Sequence, residues 1–262
     1  MPKLSVIIPC KNEEKNIRAC LETVRWADEI MVVDSGSADR TLAIAREFTD
    51  RILTHPYINS AAQKNWAIPQ AAHEWVLIVD CDERVTAELR AEIQTLLAGQ
   101  PECDGYRIRR DNWFFGRRIR HCGWDGDDVL RLFRRDIGRY ESKHVHADVI
   151  IPGRVGWLRG RLEHHTYRSF DQYLEKFIRY TTWGALDLRD QGIRPRWWHL
   201  TARPLFRFLR MYVWRRGFLD GQAGLILCGL AAFNVFMKYA KLWAIRRAEA
   251  GEEGVEIGRT EW

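Results

Sequence analysis

The chain has 262 residues, of which 46% are hydrophobic and 29% charged, and its net charge at pH 7 is +6. Such values exclude wholesale disorder, and the length is enough for one α/β domain, alone or with an appendage. The six cysteines form no CxxC pair and no disulfide framework, which indicates reduced thiols in a cytosolic protein. Because the first predicted strand begins near residue 4, we expect no signal peptide.

The first hundred residues alternate between strand and helix patterns. Apolar runs predict strands at 4–9, 29–34, 51–53 and 75–79. Helices are predicted between and after them, one reaching Phe48, one at about 61–72 and one at about 86–97, with Asn12 capping the first and Ser37 or Asp39 the second. The alternation predicts a parallel sheet with right-handed crossovers, whose polar strand ends form a crevice along one edge.

An acidic segment at the end of the fourth strand is the most informative feature. Asp80 and Asp82 directly follow the apolar run 75–79. Two carboxylates on a short turn repel each other unless a divalent cation joins them, and Mg²⁺ suits such a site; the alternative is a solvated turn. Asp34 ends the second strand in the same way, where it either accepts hydrogen bonds from a nucleobase or ribose or caps the turn at 35–37.

Glycine-rich phosphate loops are absent from the sequence, both GxGxxG after the first strand and GxxxxGK[ST]. This excludes dinucleotide oxidoreductases and P-loop NTPases. A sheet with acids at its strand ends and no glycine cradle needs a metal to neutralise a pyrophosphate.

The second half of the chain changes character. Strands are predicted at 105–110 and 129–133, and an amphipathic helix at 170–190 places Tyr173, Phe177, Tyr180 and Thr181 on one side. Between residues 194 and 247 there are eleven Lys or Arg and one acid, which indicates an anionic partner.

The most apolar stretch, 223–237, is shorter than the ~20 residues that a membrane crossing needs. We therefore reject a crossing and expect an amphipathic or re-entrant helical hairpin in the membrane interface. The alternative is a helical extension packed on the domain, with solvated arginines.

Four motifs in chain order carry a family resemblance, at 5–14, 33–41, 63–65 and 79–83. They resemble the successive motifs of family 2 glycosyltransferases with the GT-A fold. Further segments resemble the lipopolysaccharide core transferases that add β-glucose to a heptose, namely 122–124, 131–135, 145–146, 217–221 and 238–243. The resemblance implies an α/β GT-A domain over 1–165, with a nucleotide-sugar half at 1–104 and an acceptor half at 105–165. Residues 166–262 follow as a helical, basic and aromatic membrane-interface region.

The resemblance also implies roles for individual residues. Donor-binding positions are Pro9, Lys11, Glu13, Asp34, Lys64, Asp80 and Cys81. Asp82 is the implied direct ligand of Mg²⁺ or Mn²⁺, and Asp80 contacts ribose or metal. Asp127 is the implied base for the acceptor, with Asp125 and Asp128 as alternatives in the same loop. Where relatives read Val-His-Glu, residues 145–147 read Val-His-Ala, and Asp148 is the substitute closest in sequence.

The implied activity is inverting transfer of a hexose from a nucleoside-diphosphate sugar, with UDP favoured, to a lipid-linked glycan such as a lipopolysaccharide core sugar. The enzyme is then peripheral on the inner face of the cytoplasmic membrane, with an anionic lipid surface and no nucleic acid as partner. One alternative is transfer to a polyprenyl phosphate, which needs no base. Another is a nucleic-acid-binding module built on the Arg/Trp-rich tail. The apolar stretch 223–237 argues against this module, because it is too hydrophobic for a solvated groove.

The histidines at 144, 146, 164 and 165 invite a zinc interpretation, but no HExxH motif or cysteine partner supports one. His146 and His164 remain candidates for contact with phosphate or metal.

Overall fold

The computed structural model describes residues 2–141, 148–167 and 169–251. The chain forms two compact units, the first from Met1–Asp111 and Gly126–His164 and the second from Asn112–Asp125 and His165–Trp262. Residues 112–125 thus group with the second unit, whereas the sequence assigns them to the acceptor half. The predicted domain boundary at residue 165 stays a prediction.

A mixed sheet, most of whose residues belong to the first unit, has the order β3-β2-β1-β4-β8-β6-β11-β5 with β7 paired to β6, and β9 and β10 form a separate pair. The strands are β1 Leu4–Cys10, β2 Glu29–Asp34, β3 Ile52–Thr54, β4 Trp75–Ile78, β5 Glu83–Val85, β6 Gly105–Phe114, β7 Arg117–Arg118, β8 Asp128–Arg134, β9 Arg139–Tyr140, β10 Val149–Ile150 and β11 Val155–Tyr167. The first four strands are parallel, as predicted. Beyond β4 the pairs β4–β8, β8–β6 and β11–β5 are antiparallel.

Both faces of the parallel part are covered, which explains its unbroken apolar runs. Successive side chains of a strand point to opposite faces, so Val6 and Ile8 enter one hydrophobic core and Ile7 enters the other. The helices of this unit are α1 Ile17–Val24, α2 Thr41–Ala45, α3 Ser60–Ala67 and α4 Ala87–Ala98, with a 3-10 turn at Ile68–Gln70. One face of α1 is buried at the spacing of a helix, through Ile17, Cys20, Leu21 and Val24.

Two predictions about helix ends are wrong. Asn12 does not cap α1; it has φ +55°, and its side chain accepts a hydrogen bond from the Ala38 N–H at 2.8 Å. Its partner is therefore the turn after β2, which only the fold brings near. Asp39 does accept from the Thr41 N–H at 2.9 Å, but α2 ends at Ala45 rather than Phe48.

The second unit is largely helical. Its helices are α5 Phe170–Asp190, α6 Trp197–Leu200, α7 Ala202–Leu209 and α8 Gly221–Glu249, with a π turn at Arg210–Trp214 and a 3-10 turn at Gly217–Asp220. The bounds predicted for α5 are confirmed, and its buried face includes Tyr173, Phe177 and Thr181, whereas Tyr180 is exposed.

The prediction for the stretch 223–237 needs correction. It lies within the single continuous helix α8, so the structure shows no re-entrant turn there. The argument from length also fails, because Gly217–Glu249 is long and apolar enough to cross a membrane by length and composition. Core helices of soluble proteins pass the same test when mostly buried, whereas 22% of the apolar window is buried here.

Candidate active site

The carboxyl ends of three parallel strands meet at one edge of the first unit. Cys10 pairs with Asp34, and Ile7 pairs with Ile78. This register brings Pro9 on β1, Asp34 on β2 and Asp80 after β4 to the same edge. Three of the predicted donor-binding positions therefore lie at one sheet edge, and Lys11 is exposed just beyond β1. Their role in donor binding stays a prediction.

Asp34 is engaged with the turn that follows it. Its carboxylate accepts hydrogen bonds from the Gly36 N–H at 2.9 Å, the Ser37 N–H at 3.1 Å and the Ser37 hydroxyl at 2.5 Å. Gly36 has φ +85°, which glycine adopts without strain. The turn-capping interpretation is thus seen directly, and base recognition by Asp34 stays a prediction.

Helix α3 ties three parts of the site together through consecutive side chains. The Gln63 amide donates to the Val33 carbonyl at 3.1 Å, and Asn65 exchanges hydrogen bonds of 2.8 and 2.9 Å with the main chain of Tyr140. Between them, the buried Lys64 ammonium lies 2.8 Å from Asp80 Oδ1. In the motif at 63–65, Gln63 and Asn65 therefore fix the backbone of neighbouring segments, whereas Lys64 places a positive charge beside Asp80.

Asp80 is held between two cations. Its second oxygen accepts from Arg131 at 2.5 Å. Burial alone would raise the pKa of Asp80, but Arg131 and Lys64 outweigh it and hold this pKa well below its usual range. The carboxylate is consequently ionised, and each of its oxygens contacts one cation. The predicted contact of Asp80 with ribose or metal stays a prediction.

Cys81 turns away from the crevice. Its side chain is buried in the core, with the thiol directed at the Pro9 carbonyl at 3.4 Å. A hydrogen bond with Cys10 and burial raise the pKa of this thiol. Any contact from Cys81 to a nucleotide would therefore come from its main chain.

A chain of ion pairs continues from Asp80 to the predicted base. Arg131 also donates to Glu83 at 2.8 Å, and Glu83, which is fully buried, accepts from Arg110 at 3.3 Å. Arg110 then grips Asp127 with two parallel hydrogen bonds of 2.8 and 3.0 Å. Signs alternate along Lys64, Asp80, Arg131, Glu83, Arg110 and Asp127, so a chain of opposite charges connects the two ends of the site.

The neighbouring acids have different environments. Asp128 pairs with Arg107 at 3.1 Å, and Arg107 also pairs with Asp148. That Asp148 substitutes for the missing glutamate stays a prediction. Asp125 is exposed, and Asp127 is partly exposed despite its pairing. Residues 142–147, which include His144 and His146, lie outside the described residues.

Asp82 faces a histidine that the strand pairing brings close. His164 on β11 lies opposite Glu83 on β5, and its Nε2 is 3.6 Å from Asp82 Oδ2. Among the described residues no group of three or more His, Cys, Asp or Glu could hold a metal ion. The Asp82 carboxylate fits Mg²⁺ or Mn²⁺ bound mainly through substrate phosphates and water, and one carboxylate with one imidazole does not fit a closed structural zinc site.

Three charged residues of this network were not assigned roles from sequence: Glu83, Arg110 and Arg131. A signal was present for Arg131, because an arginine inside the apolar strand 129–133 must be paired when buried. Its partners could not be read, since they come from other strands.

Residues 5–160 match the model of glycosyl transferase family 2. The chain belongs to this family. A curated relative, the lipopolysaccharide core biosynthesis glycosyltransferase LpsC of Rhizobium meliloti (strain 1021), is 33% identical over 261 residues, covering 92% of this chain and 95% of LpsC. The predicted family, its GT-A α/β fold and the assignment as a glycosyltransferase are confirmed.

Solved structures show more distant likeness. The S. aureus TarS fragment 1–349 is 16% identical with a TM-score of 0.45, covering 95% of this chain and 92% of that chain. Glucosyl-3-phosphoglycerate synthase of Mycobacterium tuberculosis, solved with Mn²⁺, UDP and glucosyl-3-phosphoglycerate, is 19% identical with a TM-score of 0.35 over 43% of this chain and 44% of that chain. At these scores the likeness does not bear on function.

Proposed function

We propose that this family 2 glycosyltransferase moves a hexose, with inversion, from a nucleoside-diphosphate sugar to a lipid-linked glycan such as a lipopolysaccharide core sugar. UDP is the expected nucleotide. The observation that carries the proposal is the chain of ion pairs from Lys64 through Asp80 to Asp127. This chain connects the acidic tip at 80–82, expected at the donor, with the Asp127 carboxylate, expected at the acceptor. Similarity to LpsC supports the class of acceptor.

Donor binding would use the edge formed by β1, β2 and β4. Pro9, Lys11 and Glu13 would hold the nucleoside, and Asp34 would use the lone pairs that its turn leaves. Lys64 brings a buried cation to the tip, where a diphosphate carries negative charge. Asp82 with His164 would hold Mg²⁺ or Mn²⁺, and such an ion, when bound, offsets charge on the departing nucleoside diphosphate.

On the acceptor side, Asp127 would take the proton from the attacking hydroxyl. Arg110 orients this carboxylate through two parallel hydrogen bonds. The buried ion pairs hold Asp127 on the same framework as the tip, which favours in-line placement of donor and acceptor. Direct attack inverts the anomeric carbon and requires no covalent enzyme intermediate.

The test is a transfer assay with a panel of UDP and GDP sugars and lipid-linked core acceptors, with and without Mn²⁺. Asp82→Ala should abolish turnover and the Mn²⁺-dependent rise in melting temperature caused by UDP. Full turnover of Asp82→Ala, or of the native enzyme in excess chelator, would remove the metal from the proposal.

The base is tested by Asp127→Asn, which should bind UDP normally and lose about 10²–10⁴-fold in transfer rate. Asp128→Asn is the matched control, because it makes the same change at the next residue, on a carboxylate paired with Arg107 at the start of β8. A greater loss in Asp125→Asn or Asp128→Asn would move the base to that residue. Undiminished transfer by Asp127→Asn onto a polyprenyl phosphate would favour the alternative acceptor class.

We propose that the protein lies peripherally on the inner face of the cytoplasmic membrane, with α8 packed in the second unit through its buried residues rather than crossing the bilayer. Helix α7 buries none of its residues, and apolar side chains are exposed on it and around it, including Trp197, Leu205, Phe206, Leu209, Val213, Trp214, Phe218 and Leu219. Such a surface, interspersed with arginines, suits an anionic lipid interface. Flotation with vesicles that contain phosphatidylglycerol should carry the protein, and salt should weaken the association; failure to float would contradict this location.

A further inference from the structure

The second unit contains an open cavity of about 540 Å³ beside α6. Its lining includes the polar and aromatic residues Arg194, Arg196, Trp198, His199, Arg203 and Tyr239. The lining includes no acid, and none of its three arginines forms an ion pair within the part of the chain that the structure describes. Three cations that converge on one cavity without counter-charge favour an anionic occupant.

Two of the lining arginines contact other residues of the lining. Arg203 donates to the Tyr239 hydroxyl at 2.6 Å, and the Arg196 guanidinium lies 4.9 Å from the centre of the Trp198 ring. These contacts use only part of each guanidinium, whose remaining N–H groups suit two-pronged binding of a phosphate.

His199 supplies a different kind of donor. It is buried, stacks on Tyr239 at 4.6 Å, and its Nδ1 accepts from the Arg196 N–H at 3.1 Å. Burial, Arg203 and Arg196 lower the pKa of His199, so at neutral pH the ring is uncharged and carries its proton on Nε2. An uncharged N–H donor among arginines complements a phosphate oxygen without adding to the cationic repulsion.

The volume of the cavity and the tryptophans near it indicate what kind of molecule the phosphate group is attached to. Cavities of this volume hold small molecules, so a phosphate would enter with part of the group attached to it. Trp197 and Trp198 meet edge to face at 5.8 Å, and Trp197 is 73% exposed. Tryptophan beside arginine is the arrangement found at the headgroup level of membranes.

We propose that this cavity is a binding site for a phosphate monoester group, presented by a membrane amphiphile. The inference rests on the membrane-facing role proposed for the second unit and deepens it, because it replaces general attraction to anionic lipid with a specific site. It is independent of nucleotide-sugar binding at Asp82.

The experiment compares flotation of the full chain on vesicles containing phosphatidic acid, a monoester, with vesicles containing phosphatidylglycerol, a diester, at equal surface charge. We expect a preference of about tenfold for phosphatidic acid, the size of one charge-assisted contact. R196Q/R203Q should lose the preference, and R194Q should reduce it. The control R210Q/R215Q removes the same charge from exposed positions outside the cavity, so it should weaken binding to both vesicles equally and keep the ratio.

A second arm measures the melting temperature in inorganic phosphate, with chloride at equal ionic strength as reference. One outcome is that inorganic phosphate stabilises the native chain but not R196Q/R203Q, while the native chain does not float with either kind of vesicle. This outcome supports the phosphate site, assigns its ligand to a soluble source and refutes the membrane role. The site is overturned if neither phosphatidic acid preference nor phosphate stabilisation is seen, or if both persist in R196Q/R203Q. UDP binding should be the same in all these variants, which separates this outcome from failure of the transferase proposal.

Discussion

Glu83 is the residue whose replacement tests the charge chain most directly. Its side chain is fully buried and accepts from Arg131, from Arg110 and from the Asp80 N–H at 2.9 Å. Glu83→Gln keeps the shape but removes the charge, so the cations are no longer balanced. Removing one partner of a buried pair costs about 3–5 kcal/mol, a large share of the roughly 5–15 kcal/mol that stabilises a native domain.

We expect the melting temperature of Glu83→Gln to fall by about 10 °C, taking ~2–4 °C for each kcal/mol in a chain of this size. Circular dichroism or tryptophan fluorescence at pH 7 would measure it. Asp136→Asn is the matched control, because Asp136 pairs with Arg135 at 2.8 Å on the surface, and its loss should shift the melting temperature by less than about 2 °C.

A double-mutant cycle separates charge from packing. Arg110→Gln removes a cation beside Glu83, so the double variant should be more stable than the two single losses predict, with a coupling of about 1–3 kcal/mol. If Glu83→Gln melts within 2 °C of the control, or if the two changes are additive, the charge chain does not stabilise the site and our reasoning about its rigidity is refuted.

Three further predictions concern the rest of the chain. The buried carboxylate of Asp220 accepts hydrogen bonds from the backbone N–H groups of residues 120 and 121 at 3.1 and 2.9 Å. Asp220→Ala should therefore lower the free energy of unfolding in urea by about 2–3 kcal/mol, and Asp220→Asn should lower it by less, because asparagine keeps one acceptor oxygen. Equal losses in the two variants would contradict this. All six cysteines are free, and Cys103 alone among them is not fully buried. Iodoacetamide at pH 8 should therefore label Cys103 first, as peptide mass mapping would show. Earlier labelling of another cysteine would contradict the burial of that thiol. The folded pKa of His199 lies below its ordinary 6.5, so its contribution to stability is complete above pH 6.5 and falls as pH drops toward the lower folded value. His199→Asn should therefore flatten the decline in melting temperature as the pH is lowered below 6.5, and an unchanged slope would refute this.

Local patterns were sufficient for the first half of the fold. The apolar runs of β1, β2 and β4 and the helical period of α1 follow from burial on both faces of a parallel sheet and on one face of a helix. The acidic tip at 80–82 was also readable, because carboxylates that directly follow a buried strand lie at the edge where such sheets bind ligands.

Features that depend on distant partners were not readable. Asn12 looked like a helix cap, yet its partner is the main chain of Ala38. The stretch 223–237 looked too short to cross a membrane and was expected to form a helical hairpin, yet it lies inside the continuous helix α8, Gly221–Glu249. Residues of α8 on both sides of that stretch, which are more polar, concealed the length of the helix.

The sequence by itself determined the family, the parallel half of the sheet and the acidic tip, since each is encoded in residues that are neighbours along the chain. Only the tertiary structure decided how the charges of the site are balanced. The strand order β4-β8-β6 places Asp80, Arg131 and Arg110 side by side although some fifty and twenty residues separate them along the chain. The physical reason is that a buried charge needs an opposite one in space, and spatial neighbours in a sheet are set by strand pairing.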